Sequence, residues 1–147
     1  MKLAKILKYV SIAWPLAATS QFGHASIKMD VYIDSNTEVF VPMSRKISAF
    51  NVHKVDALKI NEERISKLLP KDPKLAQERI ASFVESGEYK QYAQDLIDSW
   101  SSISSVVGRG IKKVPAVVIN DKYVVYGMSP QKALIYYDAH IIKYGSQ

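Results

Sequence analysis

No cysteine occurs among the 147 residues, and that absence closes several routes at once. Thiol–disulfide exchange needs a thiolate, so the protein cannot perform it with residues of its own, nor staple its fold with a disulfide as many exported domains do. No stripe of Lys and Arg interleaved with aromatics appears, so direct nucleic-acid binding is not expected. There is no internal repeat and no low-complexity linker. Gly-x-Ser-x-Gly, the elbow that presents a nucleophilic serine, is also missing.

What is present at the N-terminus is a targeting pattern. Lys2, Lys5 and Lys8 precede a mostly apolar stretch from Tyr9 to Ala18, followed by polar residues and Gly23-His24-Ala25. This layout predicts a signal peptide over residues 1–25, cleaved after Ala25, and a periplasmic chain starting at Ser26. The stretch is interrupted by Trp14-Pro15 and falls short of the roughly 20 apolar residues of a membrane span, though retention as an anchor is the other fate open to it. With no cysteine after it, a bacterial lipoprotein is excluded. The three lysines are the leader's only charges, so their removal lowers the net charge from +6 to +3. That is an ordinary solubility charge. At this length the remaining chain makes one domain, residues 26–147, with a core of its own.

Ile27 to Asp34 alternates apolar and polar residues, the period of a strand with Ile27, Met29, Val31 and Ile33 on one face. Ser35 to Ala49 reads as an irregular loop, broken by Pro42 and holding an apolar patch at Val39-Phe40-Val41. A second strand is expected over Phe50–Leu58. Asn61 has the chemistry of an N-cap, with Ile60 and Ile65 as a hydrophobic staple, predicting a short helix over Glu62–Leu69 that Pro70 stops. Asp72-Pro73 starts another helix, with Ala76, Ile80, Phe83 and Val84 on one face, and Gly87 interrupts it. The strongest periodicity joins Tyr89, Tyr92, Ala93, Leu96, Ile97, Trp100, Ile103 and Val107, predicting a helix with one face buried. Gly108, near the left-handed C-cap position, and Gly110 end it. Val114–Ile119 and Lys122–Tyr126 then form a hairpin around Asn120-Asp121. Ser129-Pro130 opens a last helix striped by Ala133, Leu134, Tyr137, Ile141 and Tyr144. Strands interleaved with helices and ending in a hairpin predict an α/β fold, a mixed sheet flanked by helices.

From Gly110 onward, the segment GIKKVP, an apolar strand, a turn, a second strand, Gly127 and a helix resemble the second half of the thioredoxin fold. That resemblance implies a cis proline at Pro115 and contact between residues 27–33 and 116–119. A narrower likeness spans nearly the whole chain after the leader. The segments MDVYIDSN, VHKVDAL, LPKDPKLAQERI and GIKKVPAVVINDKYVVYGMSPQKALIYY are similar to an uncharacterised family of small exported proteins encoded within integrating conjugative elements. Its hallmark positions here are Pro115 to Val118, Val124 to Gly127 and Ala133-Leu134.

The likeness implies a genetic setting, the type IV secretion clusters that build a mating apparatus, and partners among other exported proteins of that apparatus. Where catalytic thioredoxins carry their active pair, after the first strand, this chain reads Asp34-Ser35-Asn36-Thr37. Lacking the cysteines of thioredoxin-like oxidoreductases, the chain is expected to be non-catalytic, with no cofactor and no metal. In catalytic relatives the backbone before the cis proline pairs with a bound peptide as an added strand. That implies a candidate partner-binding set of Lys113, Val114, Pro115, Ser35 and Tyr126, with Pro115 and Gly127 as the structural signature. A peptide-binding chaperone, or a non-thiol hydrolase using Ser35, Thr37 or His53, is the alternative on the same scaffold.

Other residues have plainer readings. His53 lies in a strand-like run and is expected to be satisfied or solvent-facing. His140 and Asp138, two apart on a helix, point to different faces and make a poor metal pair, and His53 with Asp56 is no stronger. Tyr89, Tyr92 and Trp100 form a helical stripe that reads as core. Of adjacent Tyr136 and Tyr137, separated by about 100° on a helix, one must face outward. With Tyr126 and Tyr144 they make a candidate interface patch.

Overall fold

The alternating segment near the start of the described chain forms the central strand of the sheet. The structure, a computed structural model, describes residues 26–145; the expected leader and residues 146–147 lie outside the described residues. β1 (Ile27–Ile33) pairs in parallel with β2 (Ile47–Lys54) and antiparallel with β3 (Ala116–Ile119), which pairs antiparallel with β4 (Tyr123–Tyr126). The sheet order is β2-β1-β3-β4. The expected contact between residues 27–33 and 116–119 is present, with Met29 opposite Ile119 and Tyr32 opposite Ala116.

Helices join β2 to β3, a tight turn at residues 120–122 joins β3 to β4, and an irregular loop joins β1 to β2. Residues 34–46 join two parallel strands without a helix, although such crossovers are usually helical. Between β2 and β3 run α1 (Ala57–Leu68), α2 (Pro73–Glu85) and α3 (Glu88–Gly108), and α4 (Pro130–Tyr144) follows β4.

Alternation sorts the core into two layers. Ile27, Met29, Val31 and Ile33 meet Val117, Ile119 and the α4 residues Ala133 and Leu134 on one face. Tyr32, Ala116 and Val118 meet Val55, Val106 and Ile111 on the other. Both faces of the sheet are thus covered, which is what buries β1 on both sides.

Several boundaries move. β2 starts at Ile47 rather than Phe50 and ends at Lys54, and Ala57-Leu58 belong to α1. Asp56, not Asn61, precedes that helix, and its side chain makes no capping bond because it is taken by Ser35. Asn61 sits inside α1, where its amide donates to Ser99 Oγ at 2.9 Å. The Val39-Phe40-Val41 patch forms no strand; Val39 packs on the core while Phe40 and Val41 are exposed.

The left-handed residue after α3 is Gly110, at φ +62°, and not Gly108, the last helical residue. Ile111 N–H donates to Val106 O at 3.0 Å and Gly110 N–H to Val107 O at 3.1 Å, the paired bonds of a Schellman motif. The expected buried face of α3 is the largest departure. Only Ser99 is buried on this helix, and Ile97, Trp100 and Val107 are 60%, 53% and 73% exposed. At 21 residues and about 1.5 Å per residue, α3 outreaches the short sheet it covers. Part of its apolar stripe therefore meets α1 and α2, and part stays exposed. Among the described residues no helix is long and apolar enough to cross a membrane.

Candidate functional site

The turn out of α3 delivers residues 112–115 to the end of the sheet, where the Val114–Pro115 bond is cis. Gly127, at φ +69°, donates its N–H to Pro115 O at 2.8 Å. A side chain is strained at that φ, which is the reason for glycine here. Pro115 and Gly127 together line an apolar groove of about 360 Å³, walled by Ile33, Val39, Phe40 and Met128. Phe40 is 77% exposed on its lip. Pro115 places the peptide it shares with Val114 at the rim of this groove. The Val114 side chain packs on the opposite face, against the Tyr32, Ala116 and Val118 layer. Its N–H and C=O make no hydrogen bond within the described residues. Backbone groups in this state are an open half of a strand ladder.

Of the remaining members of the candidate set, Lys113 and Tyr126 stand beside Val114 on its side of the sheet, and Ser35 lines a different cleft. Lys113 Nζ stands over the Tyr126 ring, 5.5 Å from its centroid, and Tyr126 packs on the α3 side of the sheet. Ser35 lines a separate polar cleft of about 400 Å³ with Lys54, Asn61 and Asp98. Its hydroxyl donates to Asp56 Oδ1 at 2.7 Å and its N–H to the same oxygen at 2.9 Å. Partial burial works to raise the Asp56 pKa, but these two donors outweigh it and leave the carboxyl below its ordinary value. The structure thus keeps Lys113, Val114, Pro115, Tyr126 and Gly127 together and turns Ser35 toward Asp56 and the other cleft.

A family described as "Protein of unknown function (DUF1525)" matches residues 27–142. The chain belongs to this family. No curated protein and no solved structure matches it. The matched span takes in every strand, the groove and most of α4, so in this DUF1525 protein the groove belongs to the family domain.

The sequence reading missed a charged cluster at the heart of the DUF1525 domain. Asp30 is a buried carboxylate, 4% exposed, that accepts from Arg109 Nη2 at 2.9 Å and Asn51 Nδ2 at 2.8 Å. Lys28 Nζ and His53 Nε2 each lie 3.5 Å from it. Arg109 also pairs with Asp121 of the hairpin turn, and this bond, then Lys28, holds the Asp121 carboxyl below its ordinary pKa. His53 stacks on Tyr32 at 4.7 Å, and the Tyr32 hydroxyl bonds Ser105 Oγ at 2.6 Å. His53 is therefore satisfied and faces Asp30, while Ser35 faces Asp56, so the two are not joined as base and nucleophile. Asp138 pairs with Lys46 and His140 contacts Tyr123 and Tyr144. Among the described residues no group of three or more His, Cys, Asp or Glu is placed to hold a metal ion. No local signal marks Asp30 as buried, because Arg109, the cation hydrogen-bonded to it, stands 79 positions away.

Proposed function

We propose that this DUF1525 protein is a periplasmic, thioredoxin-like component or assembly factor of a conjugative type IV secretion system encoded by an integrating conjugative element. It acts without catalysis, by holding an extended segment of another exported protein. The observation that carries this reading is the N–H and C=O of Val114, unpaired among the described residues, at the rim of the Pro115 groove. Such a pair accepts an incoming strand, whose side chains at alternate positions turn toward the apolar groove wall. The β1–β3 pairing supports the thioredoxin-like assignment, and the lack of cysteine supports a binding role in place of thiol exchange.

The test is in-cell cross-linking of a C-terminally tagged copy in donor cells, followed by affinity purification and mass spectrometry. One or two stoichiometric exported proteins of the mating apparatus, with the tagged chain starting at Ser26, are expected. Weak recovery of many unrelated unfolded proteins would instead make it a general chaperone. Turnover of a hydrolase substrate by the purified protein, abolished by changing Ser35 or His53, would make it an enzyme.

A further inference from the structure

The apolar residues of α3 cover more of the helix than its packing uses. At about 100° per residue they spread over roughly half its circumference, whereas a helix set against one neighbour needs a stripe about 100° wide. Tyr92, Leu96, Ile103 and Val106 fill one side of this arc and are partly buried. Val106 packs on the Tyr32 layer, and the Tyr92 ring meets Phe83 of α2 at 6.2 Å. The other side holds Ala93, Ile97, Trp100, Ser104 and Val107, all of them exposed.

The exposed stripe is regular. Its five members follow one another at intervals of 4, 3, 4 and 3 residues, the seven-residue repeat of helices that pack side by side. None of the five carries a charge, and Lys90 continues the repeat toward the helix N-terminus. The stripe also matches itself. When a second α3 runs antiparallel along it, Ile97 falls opposite Trp100, Ala93 opposite Ser104 and Lys90 opposite Val107, each pair occurring twice about a two-fold axis. Long side chains lean toward the N-terminus of their own helix, which brings the two indoles together at that axis. The Lys90 stem lies along Val107 of the other copy, and its ammonium reaches the C-terminal end of that copy's α3, where the helix dipole is negative. A parallel arrangement would set Lys90 against Lys90.

We propose that the protein forms a two-fold dimer through this face, with α3 of a second copy lying antiparallel on the stripe of Ala93, Ile97, Trp100, Ser104 and Val107. Repeat and charge together select this occupant. In a second copy every position of the stripe has an opposite member of the same stripe, and Lys90 meets the negative end of a helix. The chain's own N-terminal segment brings Lys2, Lys5 and Lys8 and no acidic residue, so it offers Lys90 only like charge. None of the stripe residues lines the Pro115 groove, and the dimer does not depend on that groove holding a peptide.

The test combines sedimentation equilibrium of the full chain with disulfide trapping, which the absence of native cysteine makes site-specific. A reversible dimer is expected, and Trp100→Glu should weaken it at least tenfold while a cooperative melt shows that the variant still folds. The double variant Ala93→Cys/Ser104→Cys should oxidise to a covalent dimer. Positions 93 and 104 are 11 residues apart, about 16 Å along the helix, and a disulfide spans roughly 7 Å between Cα atoms at most, so the bonds must run between copies. Each single cysteine variant should cross-link at least tenfold less. A chain that stays monomeric up to its solubility limit, a dimer indifferent to Trp100→Glu, or single variants that cross-link as well as the double would overturn the proposal. With p-benzoylphenylalanine in place of Trp100, adducts to residues 9–18 of the same chain would give the stripe to the N-terminal segment. Co-sedimentation of a monomeric chain with anionic lipid vesicles, abolished by Trp100→Glu, would give it to a membrane surface.

Discussion

At the scale of single residues, the molecule spends most of its electrostatic organisation on Asp30. Removing one partner of a buried ion pair leaves an uncompensated charge, a loss of about 3–5 kcal/mol in general. Lys28 and Asn51 remain beside Asp30, so Arg109→Ala should cost about 3 kcal/mol, the lower end of that range, read by urea denaturation. Titration gives a second prediction. Arg109 first, then Lys28, lower the pKa of Asp121, and Arg64 first, then Gln91, lower that of Asp95. A depressed carboxylate contributes stability above its unfolded pKa of about 3.9, and that contribution is lost as pH falls through the folded value. Asp121→Asn should therefore flatten the acid limb of a thermal-midpoint profile below about pH 4 and leave its slope near neutrality unchanged. A steeper acid limb in the variant would contradict the pairing. None of this was legible in the sequence. Asp30 occupies a strand position that alternation assigns to a polar, outward side chain, and only the tertiary fold brings Arg109 across to it.

At the scale of elements, termini were easier to read than faces. Proline-led starts announced themselves. Asp72 accepts from the amides of Lys74 and Leu75, at 2.9 and 3.1 Å, ahead of Pro73, and Ser129 accepts from Lys132 ahead of Pro130. These caps are local chemistry, written within four residues. The start of α1 was misplaced because Asn61 has the chemistry of a cap but spends it on Ser99, across the helix interface. The face of α3 was misjudged for a related reason, since periodicity reports amphipathicity and not the size of the surface available to cover it. Asp72→Ala should cost about 1 kcal/mol, and Gly110→Ala about 1–2 kcal/mol because the left-handed conformation crowds a Cβ. Both are measurable by chemical denaturation. No loss in the glycine variant would mean that the Schellman turn after α3 does not hold in solution.

At the scale of the whole molecule, the α/β class followed from alternation and element order, and the pairing of β1 with the hairpin from the resemblance of the hairpin segment to the second half of the thioredoxin fold. The hairpin's end was legible too, in Pro115 and Gly127. What escaped was convergence: Ser35 follows β1 directly yet turns to Asp56, whereas Val39, Phe40 and Met128 come from two separate loops to wall the Pro115 groove. Loops without a period give the sequence reader nothing with which to aim a side chain. The hairpin emerges as the organising unit, since its turn anchors the buried charge cluster and its proline end opens the groove.

The central claim, that the Val114 edge holds an extended segment of an exported secretion protein, is tested most directly by site-specific photo-cross-linking. A photoreactive p-benzoylphenylalanine is placed at Phe40, on the groove lip, in donor cells, with and without Val114→Pro. Among the described residues the Val114 amide makes no hydrogen bond, so the cost of that substitution is mainly the lost packing of a half-buried side chain on the Tyr32 layer, about 1–2 kcal/mol, and a thermal midpoint checks that the protein still folds. One or two discrete adducts with exported mating-apparatus proteins, lost or weakened at least tenfold by Val114→Pro, are expected. Adducts that persist unchanged in a folded Val114→Pro protein, or the absence of any discrete adduct, would contradict it.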